Sequence, residues 1–232
     1  MNRYQTTSLK IFCISLFTGL LIFNSTEAQS KTCAIERGHT SVKLVPRYGK
    51  ISYNNGHSAL QLGTKFGQHG KIAHRLGWVT RGLTKTSLER SLNIRVKYRN
   101  LANTRICAVL ASVTLEIGYE QFRVYVAHQH KPGTCAYRTT LDHENTHVRI
   151  YQTTLRKYIP RLERKLRQSA TRLKPIVASS AEHAQRYFIT QLERDLQLIL
   201  GEMNREMDKA NARIDTVKNY KREQALCPQE RG

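Results

Sequence analysis

Two histidines four residues apart, with a glutamate beside the first, constrain this sequence most strongly; the string is His143-Glu144-Asn145-Thr146-His147. On an α-helix, residues four apart lie on the same face, so both imidazoles can reach one metal ion. Glu144 lies beside the same cavity, where its carboxylate can accept a proton from a water molecule that the metal activates. The spacing therefore predicts His143 and His147 as metal ligands and Glu144 as general base.

The residues after this string predict that it opens an amphipathic helix. Thr139 or Thr140 is expected to be the N-cap, and Asp142 in the first turn would complement the helix dipole. Pro160 predicts a kink or an end of the helix near Ile159. Apolar residues follow the string at steps of three and four, at Val148, Tyr151, Leu155, Tyr158 and Leu162. A helical H-E-x-x-H string is typical of zinc metallopeptidases, so we expect the metal to be zinc.

A catalytic zinc site needs a third protein ligand and a position open to water. The metzincin pattern is excluded, because Ile150 and Thr153 stand where that pattern has glycine and a third histidine. If the motif helix and the next long helix form an antiparallel hairpin turning near Lys174, two glutamates fall opposite the histidines. We expect Glu202 as the third ligand, with Glu206 as the second choice. The alternative is that both are surface carboxylates paired with Arg205 or Lys209.

Strand patterns lie before the motif. Residues 92–98 alternate between apolar and polar and predict a half-buried strand, whereas residues 105–117 are apolar and β-branched and predict a more buried one. Residues 42–45 predict a short strand that Pro46 ends. Residues 120–128 alternate again, and Gly118 suggests a turn, so we expect residues 105–128 to form a hairpin. A strand beside the motif helix could align an extended peptide by adding it to the sheet edge.

A second long helix follows the motif helix. Ser179 and Glu182 match a capping box, and apolar residues then recur at threes and fours to about Tyr220. The predicted fold is α+β, with a small antiparallel β-sheet followed by the H-E-x-x-H helix and a long C-terminal amphipathic helix. The predicted organisation is a signal peptide at 1–28, a β-rich part at 29–135 and a helical part at 136–232. Residues 29–232 are expected to form one domain.

The first residues have the features of a secretory signal peptide. Arg3 and Lys10 precede an apolar run at residues 11–23, which is short for a bilayer span, and cleavage is expected after Ala28. The alternative is an uncleaved anchor. We expect an exported protein, in the periplasm or outside the cell, with no stable membrane insertion after cleavage.

Four cysteines remain after the predicted cleavage, and in an exported chain they suggest two disulfides with three possible pairings. We expect Cys107–Cys135, which would join the β region to the start of the motif helix, and Cys33–Cys227, which would join the two ends. The sequence has no C-x-x-C pair, which argues against a cysteine zinc site.

The chain is strongly basic, with 38 Lys and Arg against 17 Asp and Glu and a formal net charge of +21. Such a charge predicts attraction to anionic surfaces, such as lipid head groups, cell-wall polymers or acidic substrates. Nucleic acid fits the sign of the charge but not the expected compartment, so it is not an expected partner. Because the basic residues are spread along the chain, a generally cationic surface is favoured over a dedicated patch.

The combination of features resembles a family, the predicted secreted or periplasmic zinc-dependent proteases of bacteria. The features are a signal peptide, a short β region, cysteines before the helix, the string Cys135-Ala136-Tyr137-Arg138 leading to the motif, and a long helical C-terminal part. The resemblance covers roughly residues 95–220. It implies a zincin-like fold, His143 and His147 as zinc ligands and Glu144 as base.

The sequence therefore predicts an exported zinc metallopeptidase that hydrolyses peptide bonds in a protein or peptide substrate. Two alternatives stay open. One is a non-catalytic cationic protein that binds an anionic envelope surface, and the other is a zinc amidase that acts on cell-wall material. The sequence indicates neither the substrate nor the oligomeric state.

Overall fold

The protein has a mixed α+β fold, as the sequence predicts, in which a five-stranded sheet packs against two long helices. The computed structural model describes residues 33, 35, 38–65 and 79–228, so the predicted signal peptide at 1–28 lies outside the described residues. Within those residues, no helix combines the length and apolar character that a membrane span requires. The elements in order are β1 (Ser41–Asn54), α1 (Ala59–Lys65), β2 (Gly82–Lys85), β3 (Leu88–Asn100), β4 (Ile106–Val126), α2 (Cys135–Arg172), β5 (Ile176–Ala178), α3 (Ala181–Ile214) and α4 (Val217–Ala225).

Strand β4 is the centre of the sheet, and each of the other four strands pairs with it. The pairings of β2, β3 and β5 with β4 are antiparallel, and that of β1 is parallel. Leu115 of β4 lies in register with Leu44 on one side and Leu92 on the other. Because residues in register share a face of the sheet, this row packs apolar side chains beneath the helices.

The predicted hairpin within residues 105–128 is wrong, because β4 runs without a turn from Ile106 to Val126. Gly118 has φ +146°, and a Cβ atom there would lie 1.9 Å from the main-chain oxygen of Arg47 in β1. Gly118 therefore permits a close approach of two strands instead of a turn. The turn that joins β3 to β4 contains Asn103 and Thr104, both with positive φ.

Strand β1 is also longer than predicted, since it continues through Pro46 to Asn54. Pro46 lies opposite Ile117 of β4, and among the described strands β4 is the one that pairs with β1. Proline has no N–H group and cannot donate a hydrogen bond to a neighbouring strand. An edge strand tolerates this when the proline nitrogen faces away from the sheet.

Helix α2 starts earlier than predicted. Its N-cap is Thr134, whose side chain accepts a hydrogen bond from the amide of Tyr137, so neither Thr139 nor Thr140 is the cap. His143 consequently lies two turns inside the helix, and Asp142 is not in its first turn. The helix packs against β1, β2 and β4, and Glu144 of the motif contacts Thr84 of β2.

Helix α2 also continues through Pro160, where the sequence predicted a kink or an end. A proline inside a helix removes one hydrogen bond and costs about 3 kcal/mol. Leu155 and Tyr158 before it and Leu162 after it are buried in the core, whereas Pro160 itself is exposed. Burial on both sides of the proline offsets that cost and keeps the two halves in one helix.

Helix α3 begins one residue later than the predicted capping box and ends before Tyr220. Ser180, not Ser179, is the N-cap and accepts from the amide of His183. The helix stops at Ile214, with Asp215 as its C-cap, and Thr216 then caps the short helix α4. The apolar periodicity of the sequence hides this break, since Val217 continues the same spacing.

The core lies between the sheet and the helix pair. Tyr119 and Phe122 of β4 are almost fully buried, and their rings lie 4.9 Å apart. Tyr119 also donates to the sulfur of Met207 in α3 over 2.8 Å. Burial of a side chain of this size contributes roughly 2 kcal/mol, so these contacts hold the two helices on one face of the sheet.

Both predicted disulfide pairings are wrong, because the protein joins Cys33 to Cys107 and Cys135 to Cys227. The expectation of a Cys107–Cys135 bond depended on the hairpin. Since β4 is one strand, Cys107 lies at its start and Cys135 lies beyond its end. The sulfur of Cys33 lies 3.2 Å from the main-chain oxygen of Ile176 in β5, beside the start of β4.

Candidate metal centre

The two motif histidines point in one direction from the buried face of α2. His143 is 7% exposed and His147 is 9% exposed, and their Nε2 atoms lie 3.2 Å apart. The helix holds them there because Val148 and Leu155, on the same side, are buried in the core. The geometry that the motif predicts is therefore present.

The third member of the group is Asp215, the C-cap of α3. Its Oδ1 atom lies 3.1 Å from Nε2 of His143 and 3.2 Å from Nε2 of His147. Among the described residues, these three form the one group of His, Cys, Asp and Glu side chains arranged to hold a metal ion. Tetrahedral ligands at about 2.1 Å from an ion lie ~3.4 Å from one another. The three observed separations thus fit a single small cation.

The other nitrogen of each imidazole has its own acceptor, which fixes the direction of the ring. Nδ1 of His143 donates to Oε1 of Glu223 over 3.1 Å, and Nδ1 of His147 donates to Oδ1 of Asn211 over 2.8 Å. In a neutral ring Nδ1 therefore carries the proton, and the lone pair of Nε2 faces the other two atoms of the group. Metal-binding histidines are commonly oriented by such partners.

Helix α4 completes the surroundings of the group. The Tyr220 hydroxyl donates to Oδ1 of Asp215 over 2.7 Å, and the Tyr220 ring lies 5.1 Å from that of His143. Asn219 donates to Oε1 of Glu223 over 2.6 Å, which orients that carboxylate. The Asp215 side chain is 42% exposed, so the group reaches solvent on this side.

The charges of the group are strongly coupled. Burial lowers the pKa of His143, but its hydrogen bond to Asp215, the charge of Glu144 and its hydrogen bond to Glu223 outweigh this and raise the pKa to about 9. Burial raises the pKa of Asp215, yet the hydrogen bonds to both histidines hold that pKa well below its usual range. Three acceptor atoms this close need a proton or a cation between them. A divalent cation would satisfy all three at once.

Glu144 lies beside the group with its carboxylate buried. It is 5% exposed, and Oγ1 of Thr84 in β2 lies 2.8 Å from its Oε2 atom. A Cβ atom at Gly82 would lie 2.6 Å from Oε1 of Glu144 and 2.6 Å from Cγ2 of Thr140, so a larger residue at this position would displace these side chains. Burial raises the pKa of Glu144, and the nearby His147 and His143 and the Thr84 hydroxyl oppose that rise. A carboxylate in such surroundings is suited to accept a proton.

The expected third ligands lie elsewhere. Glu202 forms an ion pair with Arg161 at 2.5 Å. Glu206 accepts from Lys157 at 2.6 Å and from the Tyr158 hydroxyl at 3.0 Å. Both glutamates are therefore surface carboxylates paired with basic residues, which was the alternative interpretation of the sequence. Their basic partners lie on α2, however, and not in the next turn of α3.

The predicted antiparallel pair of long helices is present, but different residues of the two helices face each other from those predicted. Helices α2 and α3 are antiparallel, as contacts such as Ser169 Oγ to Asp195 Oδ2 at 2.6 Å show. The connection between them extends to Ser180 and contains β5, so the turn is centred after Lys174. Asn211, and not a residue near Glu202, therefore faces His147. A strand of three residues gives almost no sequence signal. Because it lengthens the connection, it changes which residues of α2 and α3 face each other.

Four residues that surround the histidines escaped the sequence prediction: Asn211, Asp215, Tyr220 and Glu223. One signal was available. Asn211 and Asp215 are four apart, the same spacing as the two histidines, and would face them on an antiparallel helix. Asp215-Thr216 also pairs two residues that favour helix ends, and this indicates the break between α3 and α4.

Comparisons of this chain with models of known protein families, with curated proteins and with solved structures found no match in any of the three. The functional argument therefore rests on the geometry and chemistry of these side chains.

Proposed function

We propose that this protein is an exported zinc-dependent metallopeptidase, as the sequence motif predicts. The observation that carries the proposal is the convergence of Nε2 of His143, Nε2 of His147 and Oδ1 of Asp215 beside the buried carboxylate of Glu144. Three ligands on one side leave a coordination position for water or substrate, which distinguishes a catalytic from a structural zinc site.

The ligand types favour zinc. Two imidazoles and one carboxylate suit a zinc ion, whereas calcium and magnesium prefer sites made of oxygen atoms alone. When bound, a zinc ion would polarise a carbonyl group and make a water molecule acidic near neutral pH. Asp215 takes the place that Glu202 held in the sequence prediction.

Glu144 is the proposed general base. Its carboxylate is charge-coupled to both histidines, and the Thr84 hydroxyl at 2.8 Å holds it in place. It would accept a proton from the attacking water and pass it to the departing amine. The Tyr220 hydroxyl, at 2.7 Å from Asp215, holds that carboxylate at the centre.

Strand β2 is the proposed place for an extended peptide substrate. It lies beside Glu144, and in the described part of the chain β4 is the one strand that pairs with it. Its main-chain groups on the other edge would align a peptide as an added strand. The proposed substrate is therefore an extended or locally unfolded protein segment.

The two disulfides are consistent with the predicted export, since such bonds persist in oxidising compartments. The exported location itself depends on the signal-peptide features of the sequence.

The test is to purify the exported protein, measure its zinc content and digest a mixture of unfolded proteins, with cleavage sites identified by mass spectrometry. Glu144→Gln should keep zinc but lose at least about a hundredfold in cleavage rate, because only the base is removed. His143→Ala should lose both zinc and activity. Glu202→Gln, a change outside the centre, is the matched control and should keep both. Cleavage by Glu144→Gln at the parental rate would show that the mechanism is wrong.

A further inference from the structure

The sheet has a second face, opposite the helices, and that face carries a row of cations. In β3 the side chains of Leu92, Ile94 and Val96 pack against the core. Because side chains alternate along a strand, Arg95, Lys97 and Arg99 point to the opposite face, and all three are exposed. We call these three side chains the outer cation row.

Polar neighbours lie at the Arg95 end of the outer cation row, whereas Lys97 and Arg99 lie in register with the buried Val109 and Cys107 of β4. Arg95 lies in register with Ser112 of β4, and Ser112 in turn with Ser41 of β1. Asn93 and Thr114 form the next pair of the same face, with Lys43 of β1 beside Thr114. Hydroxyl and amide groups of this kind donate hydrogen bonds to anionic oxygens, as they do to phosphates in nucleic-acid complexes.

The cations of this face lack acidic partners within the described chain. Lys43, Arg95, Lys97 and Arg99 form no ion pair with any described residue. Glu116 on the same face is already paired with Arg47. By contrast, cations of α2 such as Lys157 and Arg161 are neutralised by glutamates of α3. The positive charge of the outer face is therefore available to an external anion.

We propose that the outer cation row binds a linear, phosphate-bearing polymer of the cell envelope. Alternate residues of a strand are about 6.7 Å apart, so the three cations form a line of about 13 Å. A line of this length suits a chain of repeated anionic groups more than a single anion. Two of the three cations are arginines, whose planar guanidinium binds a phosphate through two parallel hydrogen bonds.

Two other anionic partners fit this face less well. Proteins that bind single-stranded nucleic acid stack bases on aromatic side chains. The exposed Tyr98 is next to Lys97 in the chain but lies in register with the core residue Ala108, on the opposite face of the sheet. Binding to a membrane surface is strengthened by apolar side chains that enter the lipid. The large exposed apolar residues of β1 and β3, which are Ile51, Tyr53 and Tyr98, lie in register with core residues of β4 and so on the opposite face. A phosphate polymer that carries no bases needs neither feature.

The test measures binding of the purified full-length exported protein to long-chain sodium polyphosphate at about 0.15 M salt. The variant Arg95→Thr, Lys97→Thr, Arg99→Thr removes the row while keeping residues that favour strands. We expect its Kd to rise at least about tenfold. The slope of log K against log salt should become shallower by about 2, since each lost phosphate contact contributes about 0.7.

The matched control is Arg164→Gln, Arg205→Gln, Lys209→Gln, which removes the same charge from exposed positions of α2 and α3. Its Kd should stay within about twofold of the parental value. An equal loss in both variants would show that net charge alone governs binding and would overturn the proposal. Unchanged binding in the row variant, or self-association as its only change, would overturn it too, because cations also protect edge strands from pairing.

Two further probes separate the polymer from its rivals. Mixed-sequence single-stranded DNA of equal phosphate number and vesicles of phosphatidylglycerol with phosphatidylcholine should each bind more weakly than polyphosphate. Tighter binding of either would assign the face to that partner and contradict the proposal. If the triple variant does not fold, Lys97→Gln alone should still make the salt slope shallower by about 0.7, and an unchanged slope would overturn the proposal. The metal centre takes no part in these measurements, so the outcome is independent of the proposed peptidase activity.

Discussion

At the scale of single residues, the centre brings together three hydrogen-bond acceptor atoms, which repel one another unless a proton or a cation lies between them. Nε2 of His143 and His147 and Oδ1 of Asp215 all lie within 3.2 Å of one another. Glu223 and Asn211 accept from Nδ1 of the two imidazoles, so a neutral ring directs the lone pair of its Nε2 at these atoms. In the metal-free protein a proton must hold the group together, and a cation would replace that proton.

Zinc affinity should therefore increase with pH. The pKa of His143 is raised to about 9, so at pH 6–8 zinc must displace at least one proton. We expect the Kd for zinc to fall at least about tenfold per pH unit over this range. Titration of the metal-free protein against a competing chelator measures it, and a Kd that is constant from pH 6 to 8 would contradict the coupling.

Stability of the metal-free protein should depend on pH in the opposite direction. The pKa of His143 is higher in the folded protein than its ordinary value of 6.5. Its contribution to stability is then fully present below pH 6.5 and is lost as the pH rises through about 9. Urea unfolding of the metal-free protein at pH 6.5 and pH 9 gives this difference.

Gly82 offers a change that separates the proposed base from the proposed metal ligands. In Gly82→Ala, the new methyl group would meet Oε1 and Cγ of Glu144 and displace that side chain. We expect cleavage activity to fall about tenfold or more while zinc affinity stays near the parental value. Gly38→Ala is the matched control, because a Cβ atom there meets nothing within 4 Å. Equal activity of Gly82→Ala and the parent would show that the position of Glu144 does not limit the reaction.

At the scale of elements, the centre joins the N-terminal half of α2 to the C-terminal segment of the chain. Asp215 follows α3, and Tyr220 and Glu223 belong to α4, a helix with no buried residue. The Cys135–Cys227 disulfide links the first residue of α2 to the chain just after α4. The position of α4 thus depends on this bond and on its polar contacts with the centre.

Removal of that disulfide should weaken metal binding. In Cys135→Ser, Cys227→Ser, α4 and Glu223 lose their covalent link to α2, and we expect zinc affinity to fall about tenfold or more. The matched control is Cys33→Ser, Cys107→Ser, whose bond lies beside β5, away from the centre. Each variant should lose about 2–5 kcal/mol of stability. Equal zinc affinities in the two variants would show that the bond does not position the centre.

At the scale of the whole molecule, the sequence pattern predicted the features that depend on residues close to one another in the chain. Alternation of apolar residues found β3, and periods of three and four found α2 and α3. The one-turn spacing of His143 and His147 also predicted their common direction. These features depend on neighbours within one element, which a single sequence contains.

Features that depend on contacts between distant residues were not predictable in the same way. In the sequence, Gly118 suggests a turn. Its place inside β4 is explained only by the close approach of Arg47 in β1. The wrong hairpin then led to the wrong disulfides. Asp215 was missed because its position depends on the length of the connection between α2 and α3, where the strand β5 has three residues.

The most direct test of the metal centre is the Kd for zinc of the parent, Asp215→Ala and Glu202→Ala, each measured from the metal-free protein against a competing chelator. Loss of one of three ligands should raise the Kd of Asp215→Ala at least about a hundredfold, whereas Glu202→Ala should bind zinc as the parent does. Parental affinity in Asp215→Ala, or a loss confined to Glu202→Ala, would contradict the assignment of this centre.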